Sequence, residues 1–302
     1  MMHKGHPEIR YLLTGVGIGL LITLLAAPVL LLLLNPMPVP LQPAPSAPVA
    51  ASNDRTPTPV LAGGLPLELT APARVRNEPP PSFPAPAQDV VATWVAEGRL
   101  DFRGPLDEER QILLYQASLH YIAPTPAESR RVGERINGSG YGSPDLICGP
   151  LALAILQDIG LVTYELIPHD FWLLNPFDAT GTELLRRAFP PAFFEQVIIP
   201  TRIDQVNWQE TPLLPGDFVY LRAGVGGNFD HMLTVNRVDS GGSAYAVTNY
   251  GTPNGFVIDE VLLYDPFDPG QGMFYVWTER PNALLGSTGF DGLLLWRAKE
   301  RR

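Results

Sequence analysis

Cys148 is the only cysteine of the chain, and it is followed by Gly149 and Pro150, a pair typical of the first turn of a helix. A single cysteine cannot form an intramolecular disulfide, so the thiol is either a small buried side chain or a nucleophile. At a helix N-terminus, unpaired backbone N–H groups and the positive end of the helix dipole favour the thiolate. We therefore expect Cys148 to be exposed and reactive, with a pKa below the reference value of about 8.5.

A nucleophilic thiolate needs a base, and the chain has five histidines. Two of them, His3 and His6, precede the apolar segment described below, and His120 lies on a predicted amphipathic helix. His231 begins the strand-like segment HMLTVNRV, where a side chain at the sheet edge can face a cleft, so we favour it as the base. His169, in a loop before aromatic residues, remains the alternative.

Asn249 follows His231 at the end of the next predicted strand, AYAVTN. The hairpin VDSGGS joins the two strands, and it brings the start of one beside the end of the other. An amide in this place can hold one ring nitrogen of the imidazole and leave the second facing the sulfur. The sequence therefore predicts a catalytic triad of Cys148, His231 and Asn249.

The segment from about Tyr141 to Gly251 resembles the papain-like cysteine peptidases, especially the double-glycine type that processes bacteriocin leaders. The likeness rests on Cys-Gly-Pro followed by LALAIL, and on a later His and Asn in that order. The segment LLPGDFVYLRAG also resembles the Pro-Gly-Asp strand that precedes the histidine of CHAP and NlpC-type cell-wall amidases. The resemblance implies a papain-like hydrolase that cleaves a peptide or cell-wall amide bond without a metal or cofactor.

One position departs from the papain-like pattern. Members of this group often carry a glutamine about six residues before the cysteine, as a donor to the oxyanion, but this chain has Gly142 there. The neighbouring Tyr141 and Ser143, with the backbone N–H of Cys148, are the candidate replacements. Loss of one such donor costs on the order of 3 kcal/mol of transition-state stabilisation. A catalytically inactive papain-like fold that serves as a cell-surface binding module is therefore the alternative.

The elements around these residues predict an α+β domain over residues 89–302. Two amphipathic helices, DVVATWVAEGRL and PLDEERQILLYQASLHYI, begin the domain, and a polar loop, GERINGSGYGSPDLI, precedes the buried central helix CGPLALAILQDIGL. Short β-branched and aromatic segments then predict a mostly antiparallel sheet: PGDFVYLRAG, HMLTVNRVD, AYAVTNYG, FVIDEVLLYD, MFYVWTE and LLLWRA.

Residues 11–34 carry no charge and are long enough to span a bilayer as a helix. Lys4 and Arg10 precede this segment and no basic residue follows before Arg55, which predicts a single-pass anchor with residues 1–10 in the cytoplasm. Residues 35–88 contain fifteen prolines, which predicts an extracytoplasmic linker. A cleaved signal peptide is the alternative, although the apolar run is long for one.

The net charge limits the classes of partner that the chain can bind. A net charge of −10 and a pI near 4.9, with no cluster of basic residues, exclude nucleic acid. The predicted partners are the membrane, through residues 11–34, and a peptide or peptidoglycan-like substrate. A structural surface protein whose function lies in its linker is a third class, besides the hydrolase and the binding module.

Overall fold

The computed structural model describes residues 86–138, 140, 142–224, 230–279 and 289–300. These residues form an α+β domain with a six-stranded antiparallel sheet, which confirms the predicted fold class at that level. Within these ranges no helix has the length and apolar character needed to cross a membrane. The predicted cytoplasmic tail 1–10, the anchor 11–34 and nearly all of the linker 35–88 lie outside the described residues.

Six α-helices and six strands are described. The helices are α1 Gln88–Ala96, α2 Glu108–Leu119, α3 Pro126–Asn137, α4 Cys148–Asp158, α5 Ala179–Ala188 and α6 Met273–Glu279. The strands are β1 Phe194–Ile199, β2 Phe218–Ala223, β3 His231–Val238, β4 Ala244–Thr252, β5 Gly255–Tyr264 and β6 Phe290–Ala298. Two short 3-10 turns, Pro168–Phe171 and Ile203–Gln205, complete the regular structure of the described part of the chain.

The strands lie in the order β1-β6-β2-β3-β4-β5, and every neighbouring pair is antiparallel. Successive side chains of a strand point to opposite faces of a sheet, so each inner strand contributes to two hydrophobic layers. On β3, Leu233 and Val235 belong to the layer that also contains Trp277 of α6. Met232 belongs to the opposite layer, which contains Cys148 and Leu153 of α4. The helix α4 therefore covers one face of the sheet and α6 the other.

The predicted central helix is confirmed as α4, and every residue from Cys148 to Gln157 is buried. A helix that is apolar on all sides must be enclosed, which explains its place between the sheet and the helices α2 and α3. The hydroxyl of Thr234 on β3 donates to the carbonyl of Ala152 at 2.9 Å and fixes the helix on the sheet. Gly160, at φ +65°, follows the end of the helix in the left-handed conformation that favours glycine.

Two sequence predictions are wrong. The segment MFYVWTE, predicted as a strand from its aromatic residues, forms α6, because Phe274 and Trp277 lie one helical turn apart and both enter the core. The stretch GERIN, predicted as part of a loop, is the last part of α3, a helix whose N-terminus is capped by Thr125. The sequence analysis did not identify α5 or β1.

Candidate functional site

The Cys148 thiol lies at the start of α4, as predicted, but it is buried, with 5% of the residue exposed. Burial raises the pKa of this thiol to about 11, although the backbone N–H groups of Met232, Gly149 and Cys148 itself lie against the sulfur and favour the thiolate. The expectation of an exposed thiol with a lowered pKa is therefore wrong. Burial raises the pKa of the thiol by more than the helix N-terminus lowers it.

His231 begins β3, as predicted, but its side chain lies on the face of the sheet opposite Cys148. The imidazole packs edge-on against Trp277 of α6, with ring centroids 4.8 Å apart, in the layer of Leu233 and Val235. Its Nε2 lies 3.0 Å from the Thr248 hydroxyl oxygen. Burial lowers the pKa of His231 to about 3, so the ring is neutral at physiological pH. His231 is enclosed as a core histidine.

Met232 takes the place next to the sulfur that a base would need. It pairs with Tyr220 of β2 in the register, and the two side chains point to the α4 side of the sheet. The Met232 thioether packs so closely on the helix start that a Cβ at position 149 would overlap its Sδ and Cε atoms. A thioether cannot accept a proton from a thiol at ordinary pH, so the thiol has an apolar neighbour in this position.

Asn249 lies at the end of β4 as predicted, but it is not the partner of His231. Its neighbour in sequence, Thr248, contacts the imidazole, and the alternation of the strand directs Asn249 to the α4 side. There its Nδ2 donates to the carbonyl of Pro144 at 2.7 Å and holds the loop that leads into Cys148. The amide therefore supports the thiol's loop and does not orient the imidazole.

The remaining candidates are His169, Ser143 and Tyr141. Ser143 donates its hydroxyl to the side chain of Asp145, and Tyr141 lies outside the described residues. His169 is half-buried in the 3-10 turn that packs on α4, and its ring lies 4.9 Å from that of Trp172. Burial lowers its pKa.

A cavity of about 310 Å³ opens beside the thiol. Its lining residues come from the start of α4 and the residue two before it, the segment after the 3-10 turn, the middle of β2 and the start of β3 with the residue before it: Leu146, Cys148, Leu173, Leu174, Asn175, Tyr220, Asp230 and Met232. The Asp230 carboxylate accepts hydrogen bonds from the Tyr220 hydroxyl and the backbone N–H of Ala223. Sequence reasoning missed Met232 and Asp230, although strand alternation from His231 already indicates that positions 231 and 232 face opposite sides.

The cavity is a small site, at the lower end of the range of about 300–1,000 Å³ for ligand pockets. Among the described residues, no group of three or more His, Cys, Asp or Glu side chains is arranged to hold a metal ion. Comparisons with protein-family models, curated proteins and solved structures found no match for this chain.

Proposed function

We propose that this domain is a non-catalytic, papain-like binding module whose ligand enters the cavity beside Cys148. The observation that carries the proposal is the pair of neighbouring positions at the start of β3: Met232 faces the thiol, whereas His231 faces the opposite layer. A thiol with a pKa of about 11 is almost entirely protonated at neutral pH, and the protonated form is a poor nucleophile. Among the described residues that line the cavity beside this thiol, none is a histidine.

The papain-like assignment is part of the proposal. It is supported by a cysteine at the start of a buried helix, which packs on an antiparallel sheet, and by a histidine at the start of a strand in that sheet. The membrane location is proposed from the charge-free residues 11–34 and the basic residues on their N-terminal side. Protease added to intact cells would then release a soluble fragment by cutting within residues 35–88.

A turnover assay tests the binding module directly. The full-length protein in a nonionic detergent is incubated with dye-labelled casein and with dye-labelled peptidoglycan, beside the Cys148→Ala variant. We expect the same background release from both proteins, because the thiol is protonated and no histidine is among the described residues that line its cavity. Release by the wild type that is lost in Cys148→Ala would contradict the proposal.

A thiol hydrolase is the second candidate, and one observation favours it. The backbone N–H groups of Met232, Gly149 and Cys148 itself favour the thiolate, which is the nucleophilic form that a hydrolase needs. Hydrolysis would require the start of β3 to shift by one residue, since such a shift moves every side chain to the other face and exchanges Met232 for His231. The shift would also bring His231 out of its contacts with Trp277 and Thr248.

The two candidates differ in their response to removal of His231. In a hydrolase, His231→Leu would abolish turnover and slow the modification of the thiol. In a binding module, the same substitution lowers stability and leaves the reactivity of the thiol unchanged.

A further inference from the structure

The cavity beside Cys148 has one ionised side chain in its lining. Three lining residues are titratable, and at neutral pH two are uncharged: burial raises the pKa of both the Cys148 thiol and the Tyr220 phenol. The third, Asp230, carries a carboxylate group, and its negative charge contributes to raising the pKa of both neighbours. No Lys or Arg belongs to the described lining. The cavity therefore has a net negative charge.

The Asp230 carboxylate is held in a fixed position. One oxygen accepts the Tyr220 hydroxyl and the other accepts the backbone N–H of Ala223, so both oxygens are tied to β2. A carboxylate offers about four acceptor positions, and two remain for a ligand. Asp178, at the N-terminus of α5, adds a second negative charge that acts on the same Tyr220 phenol.

Two exposed apolar side chains belong to the lining or contact it: Leu173 lines the cavity, and Phe177 contacts the lining residue Tyr220. Leu173 is 70% exposed, although its backbone is held at φ +59°, a conformation that a leucine rarely adopts. Phe177 is 64% exposed and lies edge-on to Tyr220, with ring centroids 6.5 Å apart. Inside, Leu174 and Met232 continue this apolar surface towards the thiol. Apolar side chains beside a fixed carboxylate match a ligand with an aliphatic chain and a cationic end.

We propose that this cavity binds an aliphatic primary ammonium group, carried either by a lysine side chain of a peptide or by a free alkylamine. The ammonium group contacts the Asp230 carboxylate, and the methylene chain packs on Leu173, Leu174 and Met232. The volume of about 310 Å³ suits one such chain. This inference rests on the proposed function, because it assigns the ligand class of the same cavity.

Calorimetric titration of the full-length protein in a nonionic detergent tests the ligand class. The probes are n-pentylammonium chloride, sodium pentanoate of the same chain length, and lysine capped as its acetyl amide. We expect the ammonium probes to bind at least tenfold more tightly than pentanoate, and high salt to weaken them. Tighter binding of capped lysine than of pentylammonium identifies a peptide side chain as the source; the reverse order identifies a free amine.

Substitutions in and near the cavity test whether pentylammonium binds there. Asp230→Asn retains an oxygen for the Ala223 N–H and should weaken pentylammonium binding at least tenfold. Phe177→Ala, beside Tyr220, should weaken it severalfold. Phe267→Ala, another exposed phenylalanine beyond β5, is the matched control and should have no effect. Saturating pentylammonium should also slow the modification of Cys148 by methyl methanethiosulfonate.

Three results would overturn the ligand class: pentanoate that binds as tightly as pentylammonium, unchanged affinity in a folded Asp230→Asn, or no binding of either ammonium probe. The binding module itself is contradicted by a different result, hydrolysis that depends on the thiol. The two failures are therefore distinguishable.

Discussion

His231 offers the sharpest quantitative prediction, because its burial couples folding to pH. The imidazole packs on Trp277 with its Nε2 near the Thr248 hydroxyl, and burial lowers its pKa to about 3 in the folded chain. The unfolded chain has the ordinary histidine value of about 6.5. Between these two values the unfolded state binds a proton that the folded state does not, so stability falls as the pH decreases.

The size of this effect follows from the two pKa values. At pH 7.5 the contribution of His231 to the pH dependence is near zero. At pH 5, about 1.5 units below the pKa of the unfolded chain, protonation of the unfolded state lowers the free energy of unfolding by about 2 kcal/mol. Any folded-state pKa of about 4 or below gives nearly the same loss at pH 5, because the folded ring is then neutral at this pH. Only below pH 4 does the exact folded value affect the result.

The assay is urea unfolding of the full-length protein, followed by tryptophan fluorescence at pH 7.5 and pH 5. The variant is His231→Leu combined with Thr248→Val, which removes the titrating ring without leaving the hydroxyl unpaired. We expect the wild type to lose about 2 kcal/mol more than the variant between the two pH values. Equal losses in the two proteins, or an NMR titration of His231 near pH 6.5 in the folded wild type, would refute the buried core assignment.

Three further substitutions test the surroundings of the thiol. Met232→His places an imidazole on the α4 side of β3 and should accelerate alkylation of the thiol at pH 7.5 at least tenfold; an unchanged rate would contradict the assigned orientation of β3. Gly149→Ala should lower the free energy of unfolding in urea by about 1–3 kcal/mol, because the added Cβ would overlap neighbouring atoms. The control Gly241→Ala, in the exposed β3–β4 turn, should change it by about 0.5 kcal/mol or less. Asn249→Ala removes the bond to the Pro144 carbonyl and should cost about 1–3 kcal/mol in the same assay without altering the pH profile of alkylation; a changed profile would indicate a direct role at the thiol.

The sequence indicated the fold at the level of its periodic segments. The all-apolar run after Cys148 has a strong local pattern, and its predicted helix is confirmed. Five of the six segments predicted as strands after residue 215 are strands. The segment that became α6 was misassigned because Phe, Tyr, Val and Trp favour strands locally. Its helical form depends on the contacts of Phe274 and Trp277 with the sheet, which are distant in sequence.

The candidate site was harder to predict than the fold. The order of Cys148, His231 and Asn249 along the chain suggested a triad, but a triad depends on which face of the sheet each side chain occupies. One residue of register decides that face, and the register of β3 is set by burial of alternate residues on two layers. The pKa of the thiol likewise depends on which residues bury it, and the spacing of residues along the sequence does not reveal them.

The central claim is that the Cys148 thiol is buried, has a raised pKa and is not paired with His231. The most direct measurement is the rate of iodoacetamide alkylation of the folded full-length protein between pH 7 and 9.5, in the wild type and in His231→Leu. With a pKa of about 11, the rate should increase about tenfold per pH unit across this range without a plateau, and both proteins should give the same profile. A plateau below pH 8 in the wild type that moves to higher pH in His231→Leu would contradict the claim and show a thiolate paired with His231.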